Sequence, residues 1–214
     1  MIDPELSTRY TELVQRCKYW LTGHPRLDMA GQLAEIQRLA TRYDQQDVYG
    51  TGELIESFEQ EVAALLGKPA AVFLISGTMA QAIALRIWAC RANTKRVGFH
   101  HSSHLQLHEQ QAYRELHRLE GVLLGDPLRV VSLDDLKAAL PLGAALLELP
   151  MREIGGQLPP WEQLVEQSGW ARAKGIALHM DGARLWQCTP HYGRSMADIA
   201  ALFDSVYVSF YKDM

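Results

Sequence analysis

The spacing of apolar residues changes near Pro69. Before it, apolar positions recur every three or four residues, the period of a helix with one buried face. Two polar-faced helices are predicted over "ELSTRYTELVQRCKYWL" and "DMAGQLAEIQRLATRYDQ". A third, over "TGELIESFEQEVAALLGK", is better patterned. Leu54, Ile55, Phe58, Val62, Leu65 and Leu66 share its stripe, while Glu53, Glu56 and Glu59 fall largely off it. Thr51 is the expected cap, and Gly67 the expected stop. After Pro69, short apolar runs alternate with helical segments. Strands are predicted over "AAVFLI", "RVGF", "GVLLG", "LRVV", "GAALLEL", "IALHM" and "SVYVSF". The helices between them are "GTMAQAIALRIWACRA", "HLQLHEQQAYREL", "SLDDLKAAL", "PWEQLVEQSGWARAKG" and "SMADIAAL".

Strand–helix alternation of this kind builds an α/β fold, a mostly parallel sheet flanked by helices on both faces. Runs such as "AAVFLI" and "GAALLEL" lack strict apolar/polar alternation, as strands buried on both faces do. The expected division is a helical N-terminal arm over 1–45 and an α/β body over 46–214. No repeat or low-complexity tract interrupts it.

Composition narrows the class. The 214 residues are 48% hydrophobic and 21% charged, with a formal net charge of −4. No basic stripe is present, so nucleic acid is not an expected partner. No apolar run approaches the ~20 residues of a bilayer span, and none is expected to enter a membrane. The opening "MIDPELSTRYTELVQ" is polar and unlike a secretory signal. Three cysteines, Cys17, Cys90 and Cys188, have no metal-like spacing. Reduced thiols in a cytoplasmic protein are the simplest expectation.

Ligands of such sheets bind beyond the carboxyl ends of the strands. The residues there are Ser76, Gly77 and Thr78; His100 and His101, with His104 just behind; Glu148 and Arg152; Asp181 and Arg184; and Tyr211 and Lys212. Ser76-Gly77-Thr78 opens a helix, whose first N–H groups can hold a phosphate, although a simple helix cap reads the same way. Asp181 and Arg184 have the spacing of an ordinary (i, i+3) ion pair. Lys212 reads equally as a surface lysine or as an amine nucleophile toward aldehydes. His100 and His101 lack a second ligand cluster, so no metal is expected. Together, a phosphate cradle, a ring stacker, a carboxylate and a Schiff-base lysine are the parts that pyridoxal 5′-phosphate requires.

The motifs "DVYG" (47–50), "GKPAAVFLISGTMAQ" (67–81), "HLQLHE" (104–109), "GGQLP" (155–159), "LHMDGARLW" (178–186) and "FDSVYVSFYK" (203–212) stand in one order. In that order the chain resembles the threonine aldolase group of the aromatic amino acid β-eliminating lyase family. These are fold-type-I enzymes dependent on pyridoxal phosphate. The resemblance implies that Ser76, Gly77 and Thr78 bind the cofactor phosphate and that His104 stacks on the pyridine ring. Asp181 would pair with the ring nitrogen. Arg184 would reach the phenolic oxygen or the substrate carboxylate, and Lys212 would hold the cofactor aldehyde. It also implies cleavage of a β-hydroxy-α-amino acid to glycine and an aldehyde, by a homodimer or homotetramer. β-Elimination or transamination on the same fold, or a non-catalytic truncated remnant, are the alternatives.

Three features depart from the family pattern. Tyr211 stands where a phosphate-binding Ser usually precedes the lysine. The stretch "ELPMREIGGQLP" has no His after Glu148. The chain ends at Met214, so the family's small C-terminal domain, with its carboxylate-binding Arg, is expected to be absent. Glu153 and a bound water are the candidate bases.

Overall fold

Five strands form one sheet in the order β2-β1-β3-β4-β5, and every neighbouring pair is parallel. They are β1 (Arg96–His100), β2 (Glu120–Leu124), β3 (Ala144–Glu148), β4 (Ala177–Gly182) and β5 (Ser205–Val208). The computed structural model describes residues 3–19, 27–41 and 47–212. The helices are α1 (Pro4–Arg16), α2 (Met29–Ala40), α3 (Glu53–Leu65), α4 (Gly77–Arg91), α5 (His104–Leu107), α6 (Ala112–Glu115), α7 (Leu133–Ala138), α8 (Trp161–Lys174), α9 (Cys188–Tyr192) and α10 (Met196–Ala200).

The central strands are apolar throughout because both faces are covered. Side chains alternate across a strand, so β3 divides its residues between two cores. Ala145 and Leu147 join Leu164, Leu178 and Met180 on one face. Ala144 and Leu146 join Val97, Phe99 and Leu85 on the other. Helix α4 covers the second face against β3, β4 and β5, and α8 packs on β4.

Two runs predicted as strands are not strands. Residues 70–75, "AAVFLI", are without helix or strand, with Val72 75% and Ile75 85% exposed. Strand β5 ends the sheet on that side, and a large cavity separates it from this run. With no ladder to join among the described residues, an apolar run has nothing to make it a strand. The run "LRVV" is irregular as well. Its Val131 carbonyl accepts from the amides of Gln163 (3.1 Å) and Gln167 (2.7 Å), so α8 takes the place of a neighbouring strand.

The helix predicted over 104–116 splits into α5 and α6, because Gln110 and Gln111 adopt φ of 50° and 56°. Thr51 does not cap α3. It pairs with Val48, and the Asp47 carboxylate accepts from the Ile55 N–H at 2.9 Å instead. Asp3 and Asp28 cap α1 and α2, neither of which has a buried residue. The predicted extensions of those helices over 20–21 and 42–45, and the division near residue 45, lie outside the described residues. Among the described residues, no helix is long and apolar enough to cross a membrane.

Candidate active site

A cavity of about 1100 Å³ opens at the carboxyl ends of β3, β4 and β5, against the first turn of α4. Ser76, Gly77, Thr78, His104, Asp181, Arg184 and Lys212 all line it. The structure thus brings together every residue of the expected site. His100 and His101 stay out of it. His100 is buried between the Ser102 hydroxyl (2.7 Å) and the Asp126 carbonyl (2.8 Å), and His101 bonds the Gly125 carbonyl. Both serve the β1–β2 end of the sheet.

Strand period places the central charge. His179 and Asp181 are two apart on β4, so both side chains face α4. Asp181 is buried, and Oδ1 accepts from the Ala183 N–H at 3.1 Å. Burial raises its pKa. The Ala183 N–H, the Lys212 and His104 charges and a hydrogen bond from Gln81 oppose that rise. Glu148 is Asp181's register partner on β3. Burial, and then the Asp181 charge, push Glu148 up to about 7, while the Arg152 N–H and the Arg184 charge pull it back. Its Oε2 is buried without a partner.

Glu109 forms a third carboxylate beneath the site. Its Oε1 meets His104 Nδ1 at 2.9 Å, and its Oε2 has no partner. Burial raises its pKa, and the bond and charge of His104 lower it. This bond orients the His104 ring. The His108 ring lies 5.0 Å away, and its Nε2 meets Glu153 Oε1 at 3.1 Å. Arg152 holds the same oxygen at 2.8 Å.

The anion end is built by α4. Ser76 caps it, accepting from the Met79 N–H at 3.2 Å. The N–H groups of Gly77 and Thr78 precede the first intrahelical bond, and the positive end of the helix dipole points the same way. Gly77 is required by close approach, since a Cβ there would collide with the Tyr207 phenol. Lys212 follows β5 by four residues and is half-buried, with Nζ 5.2 Å from the Tyr211 ring.

Gln81, Glu109, His108 and Tyr207 escaped the sequence reading. His108 and Tyr207 carried a local signal. His108 is one helical turn from His104, and Tyr207 is two residues beyond Ser205 on an apolar strand. The burial of Glu109 and the contact of Gln81 with β4 are long-range facts.

The beta-eliminating lyase family model matches residues 30–214. An aldolase of Penicillium aethiopicum is 34% identical over 166 residues, 73% of this chain and 42% of that protein. The low-specificity L-threonine aldolase of Escherichia coli K12 is 29% identical over 183 residues, 78% of this chain and 52% of that protein. A solved Listeria monocytogenes protein, assigned as an L-allo-threonine aldolase, superposes with a TM-score of 0.88 at 44% identity. That match covers 97% of this chain and 58% of the other. The chain spans about half the length of the relatives it matches. The fold is that of the fold-type-I enzymes, and the chain belongs to the beta-eliminating lyase family.

Proposed function

We propose that the protein is a pyridoxal-phosphate-dependent lyase of the threonine aldolase kind. It cleaves the Cα–Cβ bond of a β-hydroxy-α-amino acid into glycine and an aldehyde. The observation that carries this reading is the convergence of an amine, a buried carboxylate and a helix N-terminus on one cavity. Lys212, Asp181 and the first turn of α4 all line it.

The residues fit the cofactor. Its phosphate suits the N–H groups and hydroxyls of Ser76, Gly77 and Thr78, where only glycine leaves room beside Tyr207. A cationic ring nitrogen suits Asp181, whose burial otherwise disfavours its charge. The buried, unpartnered Oε2 atoms of Glu109 and Glu148 leave acceptors at the cavity wall. Bound pyridoxal phosphate supplies an aldehyde for an amine and a ring that takes up the electron pair of the broken bond.

The chain's own groups do the rest. His104, braced by Glu109, offers an imidazole face for stacking. Arg184 supplies positive charge for a carboxylate or phenolate. His108 places its Nε2–H on Glu153, so its Nδ1 is the basic nitrogen. This pair is the best-supported acceptor for the β-hydroxyl proton, replacing the histidine missing after Glu148. The test is incubation with L-threonine and pyridoxal phosphate. Acetaldehyde and glycine in equal amounts are expected. A keto acid with ammonia would assign β-elimination instead, and no turnover of any β-hydroxy-α-amino acid would overturn the reading.

A further inference from the structure

Behind Asp181 runs a buried polar chain that the reaction outlined above does not use. Trp88 Nε1 donates to Ser205 Oγ at 2.7 Å. Ser205 Oγ meets His179 Nδ1 at 2.8 Å, and His179 Nε2 meets Gln81 Oε1 at 2.7 Å. Gln81 also lies close enough to Asp181 to favour its charged form. Gln81, His179 and Asp181 are 2–3% exposed, so water cannot readily substitute for any link.

The carboxylate end fixes the direction of the hydrogens behind it. An indole N–H only donates, and an ionised carboxylate only accepts. An ionised Asp181 turns the Gln81 N–H toward itself, which leaves Gln81 Oε1 to accept from His179 and His179 Nδ1 to accept from the Ser205 hydroxyl. His179 then carries its hydrogen on Nε2. Burial pushes the His179 pKa down to about 4, which keeps the ring neutral, with one nitrogen donating and the other accepting.

The chain also ties together the three elements that carry the site. Gln81 and Trp88 are on α4, the helix whose first turn is the anion cradle. His179 is on β4, two residues before Asp181. Ser205 is its register partner on β5, the strand that leads to Lys212.

We propose that Gln81 is a positioning residue for Asp181. It donates from behind the carboxylate, with its own amide locked in one orientation by neutral His179. This holds Asp181 ionised, with its outer lone pairs turned to the cavity for a cationic ring nitrogen. The inference rests on the pyridoxal phosphate reading for that last role. The polarity of the chain is a property of the protein alone.

Two measurements on the full chain test it, and the first needs neither variant nor cofactor. Nitrogen-15 NMR of the histidine-labelled, cofactor-free protein near neutral pH should show His179 neutral with its proton on Nε2. A proton on Nδ1 would reverse the chain and overturn the proposal. Second, Gln81→Met keeps the volume and removes the donor. In cofactor-free protein the carboxyl carbon-13 titration of Asp181 should move upward by about one pH unit, equivalent to about tenfold in equilibrium. Pyridoxal phosphate should bind about tenfold more weakly to the variant, with the fold unchanged by circular dichroism. His179→Gln, which retains a donor and an acceptor, should recover more of this affinity than His179→Phe. An Asp181 titration in Gln81→Met matching wild type would overturn the positioning role. Failure of the wild type to bind pyridoxal phosphate would instead overturn the proposed function and leave the NMR result standing.

Discussion

"GAALLEL" and "AAVFLI" look alike as text, yet the first contains β3 and the second is neither helix nor strand. Leu146 is 1% exposed between β1 and β4, whereas Ile75 is 85% exposed beside the cavity. Each run carries or leads to a site group: Glu148 ends β3 within the first, and Ser76 follows the second. The strand holds its carboxylate by register with Asp181. The unpaired run has no strand register with which to hold a group, and Ser76 is fixed instead by capping α4. A strand is made by its neighbours, and a site group is only as well placed as the element that follows or precedes it.

The sharpest break of this contrast is at the end of a paired strand. Asp181→Ala removes the charge that β4 places in the cavity. Turnover of the holoenzyme should fall by ~10²-fold or more, measured as acetaldehyde release at saturating cofactor. Near-wild-type turnover would return Asp181 to a structural role.

Next in size is the paired strand itself. Leu146→Ala opens a cavity between two covered faces and should cost about 3 kcal/mol in urea unfolding. A loss below about 1 kcal/mol would mean that β3 is no better packed than the unpaired run.

A third test uses pH. Burial lifts the Glu148 carboxyl to about 7. The folded state therefore keeps a proton that the unfolded state gives up, so this stabilisation is full below about pH 4.5 and is lost as pH rises through about 7. His179 runs the other way. Its folded pKa is lowered to about 4, so its contribution is present above about pH 6.5 and is lost as pH falls toward 4. The two offset each other across the same window. Glu148→Gln removes one side, and the variant should lose about 2 kcal/mol more than wild type on acidification from about pH 7 to 4.5. Parallel urea midpoints for both proteins across that window would refute the opposition.

The smallest effect belongs to the exposed run. Ile75→Ala should change stability by less than about 0.5 kcal/mol. A cost like that of Leu146→Ala would show that 70–75 is packed after all.

The same contrast explains what could be read from the sequence. β1, β3 and β4 were legible as short apolar runs buried on both faces, α3 by its apolar stripe, and α8 by its place between two such runs, since its buried face includes Gln167 and Ser168. Asp181 and Lys212 were legible as strand-end charges, but each also read as an ordinary ion pair or surface group, and only the family's motifs gave them a role. "AAVFLI" was misread because a strand's partner is not written in the strand. The break at Gln110 and Gln111 left no signal, since glutamine rarely adopts positive φ. Gln81 and His179 are 98 residues apart. Nothing local announces that an amide on a helix and an imidazole on a strand will meet, so the support behind Asp181 became visible only in three dimensions.

The central claim is that Lys212 is the amine that holds the cofactor. Lys68 is the instructive competitor. It lines the same cavity, and burial lowers its pKa, but its Nζ is bonded to the Phe203 carbonyl at 2.5 Å. Borohydride reduction of the protein loaded with pyridoxal phosphate, followed by digestion and mass spectrometry, distinguishes the two. A pyridoxyl group on Lys212, abolished in Lys212→Ala, is the expected result. The same group on Lys68, with Lys212 unmodified, would contradict the account.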